Sequence, residues 1–408
     1  MSVRDTLDLD HEALALLGEP SIQAARQQAG QRLRVLAAAH VTAEAEASFV
    51  QALDEWTFQM LLKALNSDAT QPRLLHHMYG APHRGFGVDV PGSRGIGGDN
   101  PDNDYIVAPL DGAARYELRG QRFGEGPPDC PIGVYGNLSL SMSIDVLDWS
   151  QLRFESDGHF VITLGPEAGD GRANHLQTGP DARFLLIREA LADWAQTPCS
   201  YLLRRLDPPA APPLMREQII QRAARYIVDD VASSYWWLAM VNATPRNTLS
   251  TPLGAVGIGG LVTQKISWAR LRLADDEAFV MTVQPGGARY RGCVLMDFWQ
   301  HSLDLSDRTC SLSDRQSRAN ADGSFTYVVS RADPGVHNWL DPCGLAEPRL
   351  MHRWQGLPAD SDAGIRGELI RFDALSAHLP ADTPRLTVRE RDEQLQQRRA
   401  AFLTLFST

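Results

Sequence analysis

At 408 residues the chain is long for one hydrophobic core, and two units of about 150 to 200 residues are the expectation. Its composition, 43% hydrophobic and 22% charged, is that of an ordinary globular protein. The net charge of -11 argues against a nucleic-acid binder, which needs a basic face for phosphate.

No apolar run approaches the roughly 18 residues of a membrane span, and the acidic start MSVRDTLDLDHEALALL lacks the pattern of a secretory signal. Five cysteines (130, 199, 293, 310 and 343) form no CxxC pair. They read as reduced thiols of a cytoplasmic protein, not as a disulfide framework or zinc site.

Residues 1–80 form an N-terminal helical region, because EALALL, IQAARQQAGQRLRVLAAAHV and AEASFVQALDEWTFQMLLKAL place apolar residues at three-and-four spacing. From Pro82 the chain turns rich in Gly, Pro and Asp, a loop texture. A first β-sandwich is expected over 81–206, with RYELRG, LSLSMSI, HFVITL and RFLLIRE as alternating strands. Its last stretch, REALADWAQTPCSYLLRRL, reads as helix. DPPAAPPL (Asp207–Leu214) reads as a hinge, and 207–249 as hinge plus a central helix, MREQIIQRAARYIVDDVASSYWWLAMV. A second sandwich follows over 250–370, with KISWARLRL, EAFVMTVQ, GCVLMDFW, FTYVVS and PRLMHRW as strands. Residues 371–408 end in one amphipathic helix. Strands in runs, separate from helices, favour antiparallel sheets over a doubly wound one. The expected fold is therefore mainly β, two duplicated jelly-roll-like sandwiches with N-terminal, central and C-terminal helices.

The duplication is visible in the residues. Asp157-Gly158-x-Phe160 recurs as Asp322-Gly323-x-Phe325, Gly179 as Gly344 and Arg188 as Arg353, each about 165 positions later. Asn174 and Leu176 recur as Asn338 and Leu340 after a one-residue gap. Asp-Gly between alternating runs is a turn signal, so a shared fold explains these pairs.

The differences point to function. Where the first half has His175 and Gln177, the second has Trp339 and Asp341, with His337 before the shared Asn338. His337 and Asp341 are the candidate acid–base groups and Asn338 a carbonyl donor. The alternative is that Trp339 plugs the sandwich while Asn338 and Asp341 cap turns.

DPGVHNWLDPCG, followed by RLMHRWQG and preceded by DGSFTYVVS, resembles the carboxy-terminal signature of a bacterial family known only as domain of unknown function 1214. GGDNPDNDYIVAPLDGAARYELRG is similar to the Asn-Pro-Asp-Asn opening of the same proteins and of their frequent partner domain. The resemblance implies paired jelly-roll sandwiches and brings no reaction with it.

Other clusters carry less. GGDNPDNDY gathers Asp99, Asp102 and Asp104 but lacks the EF-hand spacing, so turn capping is expected there and no bound metal. His76, His77 and His83 have no helical ligand spacing, and GAVGIGG lacks the third glycine of a dinucleotide loop. Asp229-Asp230 has no third acid one turn on, and no G-x-S-x-G, HExxH or Walker motif occurs. Trp236, Trp299, Trp339 and Arg353, with Asp102, Asn103 and Tyr105, would line a cavity for an apolar ligand, or else pack the core.

Two functions stay open. One is a cofactor-independent lyase, hydratase or isomerase acting on a hydrophobic small molecule such as a steroid, terpenoid or aromatic metabolite. The other is a non-catalytic module binding carbohydrate, lipid or a partner protein, and a homodimer is compatible with either. A buried pocket holding a histidine and an acid favours the first, a flat aromatic sheet face the second.

Overall fold

Helices α1 (Val3–Leu16), α2 (Pro20–Ala37) and α3 (Ala43–Leu65) open the computed structural model, which describes residues 3–78, 80–85, 87–137, 142–254 and 261–404. Pro20 occupies the first turn of α2, where a missing N–H leaves nothing unpaired. Thr42 caps α3 by accepting the Ala45 amide at 3.2 Å. From Glu55 to Leu65 every residue of α3 is buried, polar ones included. A helix covered on all faces must lie inside an assembly of elements.

The first half then supplies β1 (Leu75–His76), β2 (His83–Gly85), β3 (Val88–Val90), β4 (Asn103–Pro109), β5 (Tyr116–Gln121) and β6 (Ile132–Asn137). It continues with β7 (Met142–Leu147), β8 (His159–Gly165), β9 (His175–Gln177), β10 (Phe184–Ala190) and β11 (Ser200–Arg205). Helices α4 (Arg216–Asp229) and α5 (Val231–Ala243) lead into the second half. Its strands are β12 (Leu253–Gly254), β13 (Lys265–Arg270), β14 (Glu277–Gln284), β15 (Tyr290–Met296) and β16 (Ser311–Ser313), then β17 (Phe325–Ser330), β18 (Trp339–Leu340), β19 (Arg349–Gln355) and β20 (Gly364–Arg371). Short α6 (Leu375–His378) and long α7 (Val388–Thr404) follow.

Strand order shows the duplication. The first half pairs β1-β4-β10-β6-β7 against β11-β5-β8-β9; the second pairs β12-β13-β19-β15-β16 against β18-β17-β14-β20. Each sandwich has one parallel pair, β8 with β9 and β17 with β18, at the same place. The repeated residues do the same work. Asn174 accepts the Arg153 amide at 2.9 Å and returns a bond to its carbonyl at 2.8 Å; Asn338 does so with Arg318, at 2.8 Å both ways. Asp157 and Asp322 accept the amides of His159 and Ser324, and Gly158 and Gly323 supply the left-handed turn at φ 88° and 82°. Arg188 and Arg353 hold the fifth position of β10 and β19.

Three expectations change. The stretch read as helix after Arg188 completes β10 and forms β11, where Tyr201 faces the core while Ser200, Leu202 and Arg204 face out. Strand β20 carried no signal strong enough to be read. The central helix breaks at Asp230, which pairs with Lys63 at 2.6 Å. LSLSMSI falls partly, and GAVGIGG almost wholly, outside the described residues.

Each sandwich has its own apolar interior. A third core joins α1 to α5, so helices about 150 positions apart in sequence form one bundle, tied by Trp56 Nε1 to the Ile227 carbonyl at 2.9 Å. Residues 207–214 are pinned, with Asp207 paired to Arg115 and the Leu214 amide donating to Asp68 at 2.9 Å. Among the described residues no helix is long and apolar enough to cross a membrane.

Candidate functional site

The Asp-rich loop before β4 joins the two sandwiches. Asp102 accepts from Trp194 Nε1 of the first half and from the Tyr290 hydroxyl of the second, both at 2.9 Å. Asp99 accepts the Ser302 amide at 2.8 Å and its hydroxyl at 2.6 Å, and Arg353 donates to the Gly98 and Asp99 carbonyls. Asp104 pairs instead with His76. The three carboxylates thus serve three separate sets of partners. Burial pushes Asp102 up to about 6 and also raises Asp99. Asn103 is buried beside them, and Tyr105 packs with Val107, Tyr135 and Leu186 on the outer face of the first sandwich.

The His337 loop lies elsewhere, under α7. Arg391 of that helix pairs with Asp333 at 2.9 Å, donates to the Val336 and His337 carbonyls, and lies 5.2 Å from the Trp339 ring centre. Trp339 donates to the Ser330 carbonyl at 2.9 Å and sits in a core with Val336 and Leu379. His337 Nδ1 lies 3.1 Å from the Asn338 oxygen, and burial lowers its pKa. Asn338 spends its amide on the backbone of Arg318 and Thr326. Asp341 is held by Arg308 at 3.1 Å and caps the Cys343 amide at 2.8 Å. His337 and Asp102 have no hydrogen-bond partner in common. The asymmetry between the halves therefore has a structural cause, since α7 covers this loop and, among the described residues, no such helix covers that of the first half.

The tryptophans are likewise dispersed. Trp236 is 46% exposed on α5, edge-on to Trp237, whereas Trp299 is buried against α3 with its Nε1 donating to the Ala45 carbonyl at 2.9 Å. With Trp339 under α7, these three do not line one cavity.

A cleft of about 570 Å³ does open where α3 meets the second sandwich. One wall is Thr42, Ser48 and Gln51 with Ala47; the other comes from Asp297 to Asp304, the connection after β15. That connection turns back at once. Gln300 adopts φ 66°, the Asp297 amide donates to the His301 carbonyl at 2.9 Å, and the Asp297 side chain accepts the His301 amide at 3.0 Å. Phe298 and Trp299 anchor the turn in the helical core, Trp299 lying 5.3 Å from Phe49.

Behind the cleft wall His301 is 2% exposed. Its Nδ1 is 3.6 Å from Glu55, beyond hydrogen-bond range but within ion-pair reach. Its Nε2 has no hydrogen-bond partner among the described residues. Glu55 is fully buried and clamped by two nitrogens of Arg94, one at 2.8 Å, while the third Arg94 nitrogen holds the Ser302 carbonyl. Burial raises the Glu55 pKa, yet the Arg94 hydrogen bond and the surrounding positive charge outweigh it and hold the group below the usual carboxylate range. An ionised carboxylate facing one imidazole nitrogen, with the other nitrogen unpartnered, can support acid–base chemistry.

Sequence reasoning did not single out His301, Glu55 or Arg94. A signal existed. It was the length of the connection from β15 to β16, which runs over 297–310.

No family model matches the chain, and no curated protein does. Among solved structures, an uncharacterized protein from Burkholderia cenocepacia is similar with a TM-score of 0.73 at 24% identity, over 89% of this chain and 99% of that one. A Vibrio parahaemolyticus protein aligns at 13% identity over 67% of this chain and 89% of its own, with a TM-score of 0.41. The first likeness shows the fold over most of the chain.

Proposed function

We propose that the cleft beside His301 is the active site of a cofactor-independent acid–base enzyme of lyase, hydratase or isomerase type. The observation that carries this is His301, which lines a cleft of about 570 Å³ and whose buried Nε2 has no hydrogen-bond partner among the described residues. The substrate is a small molecule with an apolar body and a polar end, because Ala47, Pro82, Phe298, Leu303 and Leu345 share the lining with Gln51 and Ser302. The four acids of the lining are already engaged: Glu44 takes the amides of Ala346 and Glu347, Asp297 that of His301, Asp304 those of Ser306 and Asp307, and Glu347 pairs with Arg246 at 3.2 Å. That leaves His301 as the proton carrier. The outer face of β5, β8 and β11, with Glu117, Arg119, Val161, Leu202 and Arg204, offers no aromatic platform for the alternative of a carbohydrate-binding module. A cytoplasmic setting and membership of domain-of-unknown-function family 1214 go with this reading.

A thermal-shift screen of hydroxy-, keto- and enol-bearing compounds tests it. Ligands that raise the Tm of the wild type should lose that effect on Ala47→Trp, which fills the mouth from an exposed rim position. For any hit that is turned over, His301→Gln should keep binding and lower kcat by about 10²- to 10⁴-fold. Hits that stabilise Ala47→Trp as strongly as wild type, or full turnover by His301→Gln, would overturn the proposal.

A further inference from the structure

Four of the five cysteines are buried, and Cys343 alone is half-buried. Cys343 also lines the cleft. It stands in the turn Asp341-Pro342-Cys343-Gly344 with a φ of 53°, followed by Gly344 at 84°, and its amide is fixed by Asp341. Its Sγ lies 3.6 Å from the Asp341 carbonyl, and its side chain interacts with that of Cys310. Cys310 ends the connection that carries His301, and its thiol donates to the Asp304 carbonyl at 3.1 Å. The Asp341 amide bonds to the Thr309 carbonyl at 3.3 Å, which keeps the two cysteine-bearing segments side by side.

We infer that Cys343 and Cys310 are a peroxide-responsive thiol pair, in which Cys343 is oxidised from the cleft and Cys310 resolves it to a disulfide. The Cys343 thiolate attacks one oxygen of hydrogen peroxide; an S–O bond forms, the O–O bond breaks and hydroxide leaves, giving a sulfenic acid. The Cys310 sulfur then gives up its proton and attacks the Cys343 sulfur. The departing hydroxyl takes that proton as water. Two thiols and one peroxide become one disulfide and two waters, a two-electron oxidation that a small thiol reverses.

The other cysteines provide the contrast. Burial raises the pKa of Cys130, Cys199, Cys293 and Cys310, whereas the neighbouring Cys310 side chain lowers that of Cys343 despite partial burial. A thiolate with access to solvent is the reactive form, and a neighbouring thiol is what turns its oxidation into a reversible one.

The test uses the whole protein and no substrate, so its outcome is independent of what the cleft binds. Native protein is treated with a few equivalents of hydrogen peroxide and mapped by mass spectrometry without reduction. We expect a linked Cys310–Cys343 peptide, with Cys130, Cys199 and Cys293 unchanged, and iodoacetamide should label Cys343 in untreated protein at least about tenfold faster than Cys130. In Cys310→Ser, dimedone should capture a sulfenic acid at Cys343; in Cys343→Ser, neither linkage nor label should appear at Cys310. Wild-type protein that gives no linked peptide, or labels Cys343 no faster than Cys130, refutes the pair whether or not either variant folds.

Discussion

Replacing Glu189 by Gln should change how stability depends on pH more than it changes the fold. Glu189 lies on β10 inside the first sandwich, fully buried, accepting the Cys199 amide at 2.7 Å and the Tyr201 hydroxyl at 2.9 Å. Burial pushes its pKa from 4.5 up to about 7. The folded state therefore holds this proton more tightly than the unfolded chain. The sign follows: stability associated with Glu189 is full below pH ~4.5, falls as pH rises, and is gone above pH ~7. A shift of that size corresponds to about 3 kcal/mol at 1.36 kcal/mol per pH unit. Glutamine keeps one acceptor for the Cys199 amide, and Tyr201 can turn its hydroxyl to the Cys130 sulfur 3.4 Å away. Urea unfolding of wild type and Glu189→Gln at half-unit steps from pH 4.5 to 8 measures the difference. The variant should gain about 3 kcal/mol relative to wild type across that range. Parallel curves for the two proteins would mean that Glu189 is not protonated by its surroundings and would refute the reasoning.

The cluster behind the cleft makes a second prediction. Arg94→Met leaves Glu55 buried and uncompensated and should cost about 3 to 5 kcal/mol by urea unfolding, while Arg94→Met/Glu55→Leu should recover most of it; losses below about 1 kcal/mol for the single variant would contradict the pairing. The third concerns the repeated asparagines. Asn338→Ala removes three bonds to the backbone and should cost about 2 to 3 kcal/mol, Asn174→Ala about 1 kcal/mol, with ligand-induced Tm shifts at the cleft kept in both; loss of those shifts alone, at unchanged stability, would return Asn338 to the functional site.

Much of the fold was legible because the repeat is written in turn chemistry. Asp157-Gly158 and Asp322-Gly323 need a left-handed glycine, and each asparagine needs its own backbone partners, so these residues recur where conformation recurs. Strand β11 was misread because Leu202, 64% exposed, breaks the alternation and the segment is rich in helix formers. Strand β20 was overlooked because its inner face is thinned by Gly367, where a Cβ would stand 2.7 Å from the Phe279 ring. The candidate site was less legible. Non-recurrence drew attention to His337 and Trp339, yet a helix about 50 positions later demands them, and no local pattern announces that contact. Glu55, Arg94 and His301 come from three distant segments, each unremarkable alone, and only folding brings them together.

Helix α7 also sets a schedule. Its Arg398 is 6% exposed between the halves, donating to the Leu305 carbonyl at 2.7 Å, to the Ser311 carbonyl and hydroxyl at 2.8 Å, and lying 4.3 Å from the Trp194 ring centre. Thr404 reaches the Trp194 carbonyl at 3.2 Å. On a ribosome every strand of both sandwiches, through Arg371, is made before this helix. At ~5–20 residues per second the gap is roughly two to seven seconds. During that interval Asp102 can already join the sandwiches through Trp194 and Tyr290, but the seam still lacks Arg398 beside the Trp194 ring. Covering of the Trp194 side of the seam is thus left to the last helix, and a chain truncated after residue 380 should expose that seam to proteases that the full chain resists.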